Sequence, residues 1–193
     1  MDKEMFIFYR NSLARNLCRG YSDEFKKDLE NKEELFRLCL RQQSIPYFAT
    51  ACYQQWGLNI DFIKTRYKEF INGKYLAKDC DKVKGYTYEL WCSNLKPINT
   101  NSDVLHAMQC NCEINIPITK CPTLYISNKS NIIINSEGYN SIRLYLFDES
   151  IININDLDKD SNILIYKYSK DCNVIINNNC DGKVKQFDKE LRL

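Results

Sequence analysis

The sequence predicts an α+β protein, with a small helical module followed by a β-solenoid-like region, for which a β-sandwich is the alternative. Three observations indicate this fold class. Apolar residues have helical spacing near the N-terminus, apolar pairs repeat at strand spacing in the second half, and turn-forming residues separate those pairs. The predicted division is a helical module at 1–75, a linker with first strands at 76–112 and a repetitive β domain at 113–193.

Spacing and end signals predict four helices in the N-terminal module, at 5–19, 22–41, 47–56 and 60–71. Ser22 is a suitable N-cap for the second helix, because its hydroxyl can accept a hydrogen bond from a free first-turn amide. Pro46 marks a break and restart, since proline is tolerated in the first turn of a helix. The four helices are expected to form a small bundle or a pair of helical hairpins.

Apolar pairs with i, i+2 spacing recur through the second half, and such spacing places both side chains on one face of a strand. Successive pairs start 10, 8, 10, 10, 11, 11 and 10 residues apart, counting Val184 as a fading eighth unit. The seven complete pairs are Ile114/Ile116, Leu124/Ile126, Ile132/Ile134, Ile142/Leu144, Ile152/Ile154, Ile163/Ile165 and Val174/Ile176. Two further strands are predicted upstream, at 85–93 and 104–112.

Two strand arrangements fit this repeat. In a solenoid, two units form one coil of about twenty residues and strands stack in parallel; in a sandwich, successive strands form antiparallel hairpins. Tight hairpins favour Asn-Gly or Asp-Gly turns, and the repeat contains only one, at Asp181-Gly182. The regular spacing and glycine-poor corners therefore favour the solenoid. Its inward positions are apolar, whereas no common chemistry is apparent at the outward and corner positions.

Composition narrows the classes of partner. The net charge is +2, which gives no bulk electrostatic attraction for nucleic acid. No apolar run approaches the roughly 20 residues of a membrane span, and the first residues lack the layout of a signal peptide. The ten cysteines are therefore expected to be reduced, in a protein made in a cytoplasm.

Candidate catalytic and metal-binding residues are few. His106 is the one histidine, so any mechanism that needs imidazole would have to use it. Cys110-x-Cys112 lacks the paired Cys-x₂₋₄-Cys spacing of structural zinc sites. Asp156, Asp158 and Asp160 resemble the start of a calcium loop, but Ser161 and Lys167 replace its glycine and bidentate glutamate. We predict no catalytic, cofactor-binding or metal-binding residues.

The tyrosines of the repeat allow two interpretations. Tyr125, Tyr145, Tyr166 and Tyr168 could offer an aromatic surface to a sugar ring, or they could simply pack across neighbouring strands. Cross-strand packing is the favoured interpretation. The acidic residues in the turns do not define a catalytic carboxylate pair for glycoside hydrolysis.

Three segments carry a family resemblance. They are Gln-Gln-Ser-Ile-Pro-Tyr-Phe-Ala-Thr-Ala at 42–51, Tyr-Lys-Glu-Phe-Ile-Asn-Gly-Lys-Tyr at 67–75 and Gly-Tyr-Thr-Tyr-Glu-Leu-Trp-Cys at 85–92. Followed by a strand-rich tail, this order resembles small structural-type proteins of Bacteroides gut bacteriophages, including the crAss-like phages and related prophages. The resemblance implies a structural protein of the virion, made in the host bacterial cytoplasm, with other phage structural proteins as partners.

We therefore expect a non-enzymatic structural or assembly component of a phage virion, such as a fibre, adaptor or decoration protein, that forms homo-oligomers. No cofactor, nucleic-acid partner or membrane partner is expected. One alternative is a carbohydrate-binding or carbohydrate-cleaving solenoid module, which would have a glycan partner. A second alternative is a phage protein that acts on a host factor.

Overall fold

A computed structural model shows two compact units, a helical unit within 1–68 and a solenoid unit formed by 69–76 and 86–190. The residues that the structure describes are 3–17, 19–27, 30–41, 44–77, 86–92, 97–118, 120–177, 180 and 182–190. The predicted α+β class with a C-terminal solenoid is confirmed. None of the described helices is both long enough and apolar enough to span a membrane.

The helical unit contains five short helices, whose bounds differ from the prediction. They are α1 Lys3–Ala14, α2 Arg19–Lys27, α3 Lys32–Cys39, α4 Ile45–Gln54 and α5 Ile60–Arg66, and a 3₁₀ turn, Lys68–Phe70, follows. The core of this unit contains an aromatic cluster, in which Phe36 stacks on Tyr67 with centroids 4.2 Å apart and meets the edge of Phe48 at 5.8 Å. Pro46 lies in the first turn of α4, as predicted.

The predicted single helix at 22–41 is wrong, because the segment contains two helices with a new start at Asn31. The Asn31 side chain caps α3 by accepting a hydrogen bond from the amide of Glu34. Ser22 is not an N-cap; it is buried inside α2, where its hydroxyl pairs with that of Tyr9 at 3.0 Å. The predicted helix at 60–71 also ends early, since the α-helical part of that segment stops at Arg66.

Twelve strands form two sheets in the described chain. They are β1 Gly73–Ala77, β2 Tyr86–Trp91, β3 Ile98–Asn99, β4 Val104–Met108, β5 Asn111–Ile116, β6 Thr123–Ser127, β7 Asn131–Ser136, β8 Ser141–Leu146, β9 Ile151–Leu157, β10 Asn162–Lys167, β11 Asn173–Ile176 and β12 Lys183–Asp188. The predicted strand at 104–112 is two strands, β4 and β5, because Gln109 adopts a left-handed conformation between them. The strand β1 was not predicted. The linker expected at the start of the 76–112 segment lies largely outside the described residues.

From β2 onward the strands alternate between the two sheets and stack as about five coils. The seven-stranded sheet has the order β1-β2-β4-β6-β8-β10-β12, and the five-stranded sheet has the order β11-β9-β7-β5-β3. From β2 onward the ladders described between neighbouring strands are parallel, which supports the solenoid over the sandwich. One coil advances the chain by 20 residues where Asn111 pairs with Asn131, and by 22 where Ile151 pairs with Asn173.

The apolar pairs of the repeat fill the space between the sheets. In the five-stranded sheet, register places Ile114, Ile134, Ile154 and Ile176 in one column, headed by Ile98. The first three of these side chains are fully buried. Leu105, Leu124, Leu144 and Ile165 form the facing column of the other sheet. Equivalent positions of successive coils therefore lie one above another in the same apolar environment, which explains why the same residue types recur once per coil.

Candidate functional site

An asparagine ladder runs along the outer face of the five-stranded sheet. Each asparagine after the first donates an Nδ2 hydrogen to the Oδ1 of the ladder asparagine one coil earlier, at distances of 2.9, 2.9, 3.2 and 2.8 Å. The members are Asn99, Asn115, Asn135, Asn155 and Asn177. The expectation that outward positions share no chemistry is thus wrong. Each member directly follows an isoleucine of the column from Ile98 to Ile176, and this recurring Ile-Asn dipeptide is the ladder's signal in the sequence.

Replacing Asn135 with alanine is expected to destabilise the solenoid unit by about 1–2 kcal/mol, because a partly buried hydrogen bond contributes about 1 kcal/mol net. Asn135 donates to Asn115 and Glu113 and accepts from Asn155. Asn131 is exposed on the same strand and provides the control, for which Asn131→Ala should change stability by less than about 0.5 kcal/mol. Hydrogen–deuterium exchange of solenoid amides measures both. Equal effects of the two variants would contradict the ladder's role.

An aromatic column runs along the outer face of the other sheet. In register, His106 is followed by Tyr125, Tyr145, Tyr166 and Phe187. From Tyr125 onward, successive rings are stacked, with centroids 4.9, 5.0 and 5.4 Å apart and interplanar angles of 14 to 21°. Phe147 and Tyr168 form a parallel second stack at 5.0 Å. The favoured interpretation of the tyrosines, cross-strand packing, is confirmed.

The stacking determines which parts of the rings face solvent. Because Tyr145 has a neighbouring ring on each side, its two faces are covered and its edge points outward. A sugar ring usually stacks on an aromatic face, so this column offers few such platforms. Burial and the nearby Tyr166 raise the pKa of Tyr145, and burial likewise raises that of Tyr168. Both phenols are therefore neutral at physiological pH.

A buried carboxylate organises one row of corners. Asn128 and Lys129 both have positive φ, and their amides donate to Asp148 of the next coil at 2.5 and 2.9 Å. The hydroxyl of Ser150 donates to the same carboxylate at 3.0 Å. Burial raises the pKa of Asp148, and the amide hydrogen bonds from Lys129 and Asn128 oppose that rise. This corner is a structural clamp between two coils.

His106, the one histidine, is fully buried on β4, a strand whose five residues are all buried. Its Nε2 lies 3.0 Å from Ser127 Oγ, and its ring meets Tyr125 edge-on at 6.1 Å. Burial lowers the pKa of His106 to about 3. The imidazole is therefore neutral and packed within the protein, which makes it poorly placed to exchange protons with a substrate.

Acidification should lower the free energy of unfolding, because His106 is buried in its neutral form. The folded state holds its pKa near 3, below the unfolded value of 6.5, so stability is complete above pH 6.5 and falls as protons bind the unfolded chain. From about pH 7.5 to about pH 5 the loss should be about 2 kcal/mol. His106→Phe, which suits the aromatic column, should remove that part of the pH dependence. Denaturant unfolding at several pH values measures the stability of both chains. Identical pH profiles for the wild-type chain and His106→Phe would contradict the lowered pKa of His106.

Six of the eight described cysteines are buried and behave as core residues, whereas Cys180 is half-buried and Cys121 is exposed. Cys110 donates its thiol hydrogen to the carbonyl oxygen of Trp91 at 3.3 Å. A hydrogen bond with Cys110, together with burial, raises the pKa of Cys112. Burial also raises the pKa of Cys172, to about 11. No group of three or more His, Cys, Asp or Glu residues that could hold a metal ion occurs in the described part of the chain.

The acidic segment that resembles a calcium loop forms a corner between coils. Asp158 Oδ1 accepts a hydrogen bond from the amide of Asp160 at 2.9 Å, which closes a local turn. Both carboxylates are exposed, whereas Ser161 is buried and its hydroxyl accepts from the amide of Asn140 at 3.0 Å. Serine at this position thus joins two coils instead of permitting the sharp turn of a calcium loop.

One open pocket lies beside the start of the asparagine ladder. Its volume is about 320 Å³, and its lining is Asn99, Thr100, Asn101, Asn115, Ile116, Pro117 and Glu137. Beneath it, the buried hydroxyl of Thr100 donates to the buried carboxylate of Glu89 at 3.2 Å. Trp91 and Ser102 donate to the same carboxylate at 2.9 and 2.6 Å. Amides and one exposed carboxylate around a shallow cavity are suited to binding a neutral, hydroxyl-bearing ligand.

Comparison with known proteins adds no family to this description. No protein-family model, curated protein or solved structure matches the chain.

Proposed function

We propose that this protein is a non-enzymatic structural or assembly component, and specifically a structural protein of a phage virion. The observation that supports this role most is the pairing of outward side chains with their equivalents on adjacent coils. Asparagines bond to asparagines on one sheet, and aromatic rings stack on aromatic rings on the other. Such ladders stiffen the stack of coils. They also engage, in contacts within the protein, the outward side chains that a catalytic surface would use.

The state of the reactive residue types supports the same proposal. Imidazole and thiolate chemistry needs accessible groups whose pKa values lie near neutrality. His106 and Cys172 have pKa values shifted away from neutrality by burial. The carboxylate of Asp148 is bound by two amides and a hydroxyl of its own chain. These groups hold the coils together, as expected in a protein that acts through its shape and contacts.

Mass spectrometry of purified phage particles from the source culture tests the proposal. The chain should be enriched in the particles and should persist through density-gradient purification and a high-salt wash. A cytoplasmic host enzyme measured in the same fractions provides the control for contamination. Detection only in the soluble lysate would reject the virion role and favour a protein that acts on a host factor.

A carbohydrate-binding module is a second candidate, and the polar pocket beside the asparagine ladder favours it. A glycan array probed with the full chain would test it, with Glu137→Ala as the pocket variant. Glu149→Ala changes another exposed glutamate at a different corner and is the matched control. Binding that is lost only with Glu137→Ala would support the module, and no binding to any glycan would remove it.

A further inference from the structure

The two sheets end at different levels at the C-terminal end of the solenoid. The last strand of the seven-stranded sheet, β12, begins a new coil, whereas the five-stranded sheet ends one coil earlier at β11. Within the described residues, β11 pairs with β9 on one side, and no strand pairs with its other edge. The end of the solenoid therefore has a step one strand wide, with β12 on its high side and the edge of β11 on its low side.

Three exposed apolar side chains lie at this step. Ile176 is 42% exposed, although the other members of its column, such as Ile154, are buried. Ile175 and Phe187, on the outer faces of β11 and β12, are 42% and 41% exposed. A strand paired beside β11 would cover Ile176 and extend its core column by one more strand, and apolar burial of this kind favours association.

The two edges at the step differ in charge. The strand β11 has the sequence Asn-Val-Ile-Ile and carries no charged residue. By contrast, β12 contains Lys183, Lys185 and Asp188. Charged side chains on an edge strand discourage pairing with an identical strand, because like charges would then be brought together. Direct pairing of two β12 edges is thus disfavoured, whereas pairing of β12 with the neutral β11 avoids lysine–lysine repulsion.

We propose that a second copy of this chain fills the step, with β12 of each copy pairing beside β11 of the other. A two-fold axis parallel to the strands reverses the solenoid axis and exchanges the two sheets. It therefore brings each high side onto the partner's low side, with antiparallel pairing at both contacts. Inward side chains stay inward, so Val184 of β12 would join the column of the partner copy that ends at Ile176. The interface is isologous, the commonest kind in homodimers.

This dimer interface, called the joint below, rests on the assembly function proposed above. It adds to that function a description of how two copies meet. It would double the number of stacked coils and cover, on each copy, the two strand edges that are otherwise open to non-specific pairing. Each copy contributes the same two strands, so the assembly closes as a dimer and does not grow into a filament.

Sedimentation velocity of the full chain from about 1 to about 100 μM tests the joint, since an interface of this kind is expected to have a Kd in or below that range. The wild-type chain should be dimeric at the upper concentration. Ile175→Lys should weaken dimerisation at least about tenfold, because it places a cation beside the lysines of the partner's β12. Ile133→Lys is the matched control, since Ile133 occupies the same outer column two coils away and is 39% exposed. It should leave the dimer intact.

A cross-link provides a second, independent readout. The double variant Ile175→Cys with Lys185→Cys should form a disulfide-linked dimer under mild oxidation, because antiparallel pairing that sets Val184 beside Ile176 also sets Lys185 beside Ile175. The matched double variant Ile133→Cys with Lys185→Cys keeps the same native cysteines, including the exposed Cys121, and should not gain that cross-link. A chain that stays monomeric at about 100 μM, or a dimer that Ile133→Lys disrupts as strongly as Ile175→Lys, would overturn the joint. A monomer that still co-purifies with phage particles would overturn the joint and leave the virion function standing, so the two failures are distinguishable.

Discussion

Replacing Asp148 with alanine is expected to lower the free energy of unfolding of the solenoid unit by about 2–4 kcal/mol. The substitution leaves the amides of Asn128 and Lys129 without their carboxylate acceptor, and the Asn128 amide belongs to a buried residue. It also forces alanine into the left-handed conformation that Asp148 adopts, with φ at 52°. Hydrogen–deuterium exchange should show the largest loss of protection at the amides of Asn128 and Lys129.

Two other variants separate the clamp from general effects of charge. Asp148→Asn keeps an acceptor oxygen and tolerates the left-handed conformation, so it should cost about 1 kcal/mol. Asp171 is an exposed carboxylate in the corner one coil later, and Asp171→Ala should change stability by less than about 0.5 kcal/mol. If Asp148→Ala and Asp171→Ala had the same effect, the carboxylate would not be clamping the two coils.

Replacing Ile154 with alanine is expected to destabilise the solenoid unit by about 2–5 kcal/mol, since it removes three buried carbon atoms from the centre of a closely packed column. The matched variant is Ile176→Ala, which makes the same change in the same column at its exposed end. Its cost in dilute protein should be about 1–1.5 kcal/mol, because Ile176 is 42% exposed. Exchange rates of the β7 and β9 amides measure both effects.

The comparison within one column also tests how the solenoid is built. Each coil contacts only its neighbours, so a cavity at Ile154 should weaken the adjacent strands more than the distant β4. If Ile154→Ala and Ile176→Ala lowered the free energy of unfolding equally, the column would not end at Ile176.

The coil architecture was readable from the sequence because its cause is periodic. A buried pair such as Ile132 and Ile134 must recur wherever the chain returns to the same side of the core, and that return fixes the spacing. The asparagine ladder carried an equally regular signal in its Ile-Asn dipeptides. Asparagine beside a strand is also a common turn former, and only the side-chain hydrogen bonds between coils reveal which asparagines form the ladder.

Other features depend on single contacts and have no such signal. The left-handed pair at Asn128 and Lys129 is stabilised by a carboxylate about twenty residues away, and spacing alone does not identify that partner. The division of the predicted helix at 22–41 follows from the competing cap at Asn31. The burial of His106 on a strand buried on both faces likewise exceeds what an alternating pattern predicts.

Nuclear Overhauser contacts of the backbone protons of Leu144 test the stacked-coil architecture most directly. In the parallel solenoid, Leu144 on β8 lies between Leu124 on β6 and Ile165 on β10. Contacts from Leu144 to the backbone of both of these strands are the expected result. Contacts to the sequence-adjacent strands β7 and β9 in their place would show hairpins, and would contradict the solenoid and the ladders that depend on it.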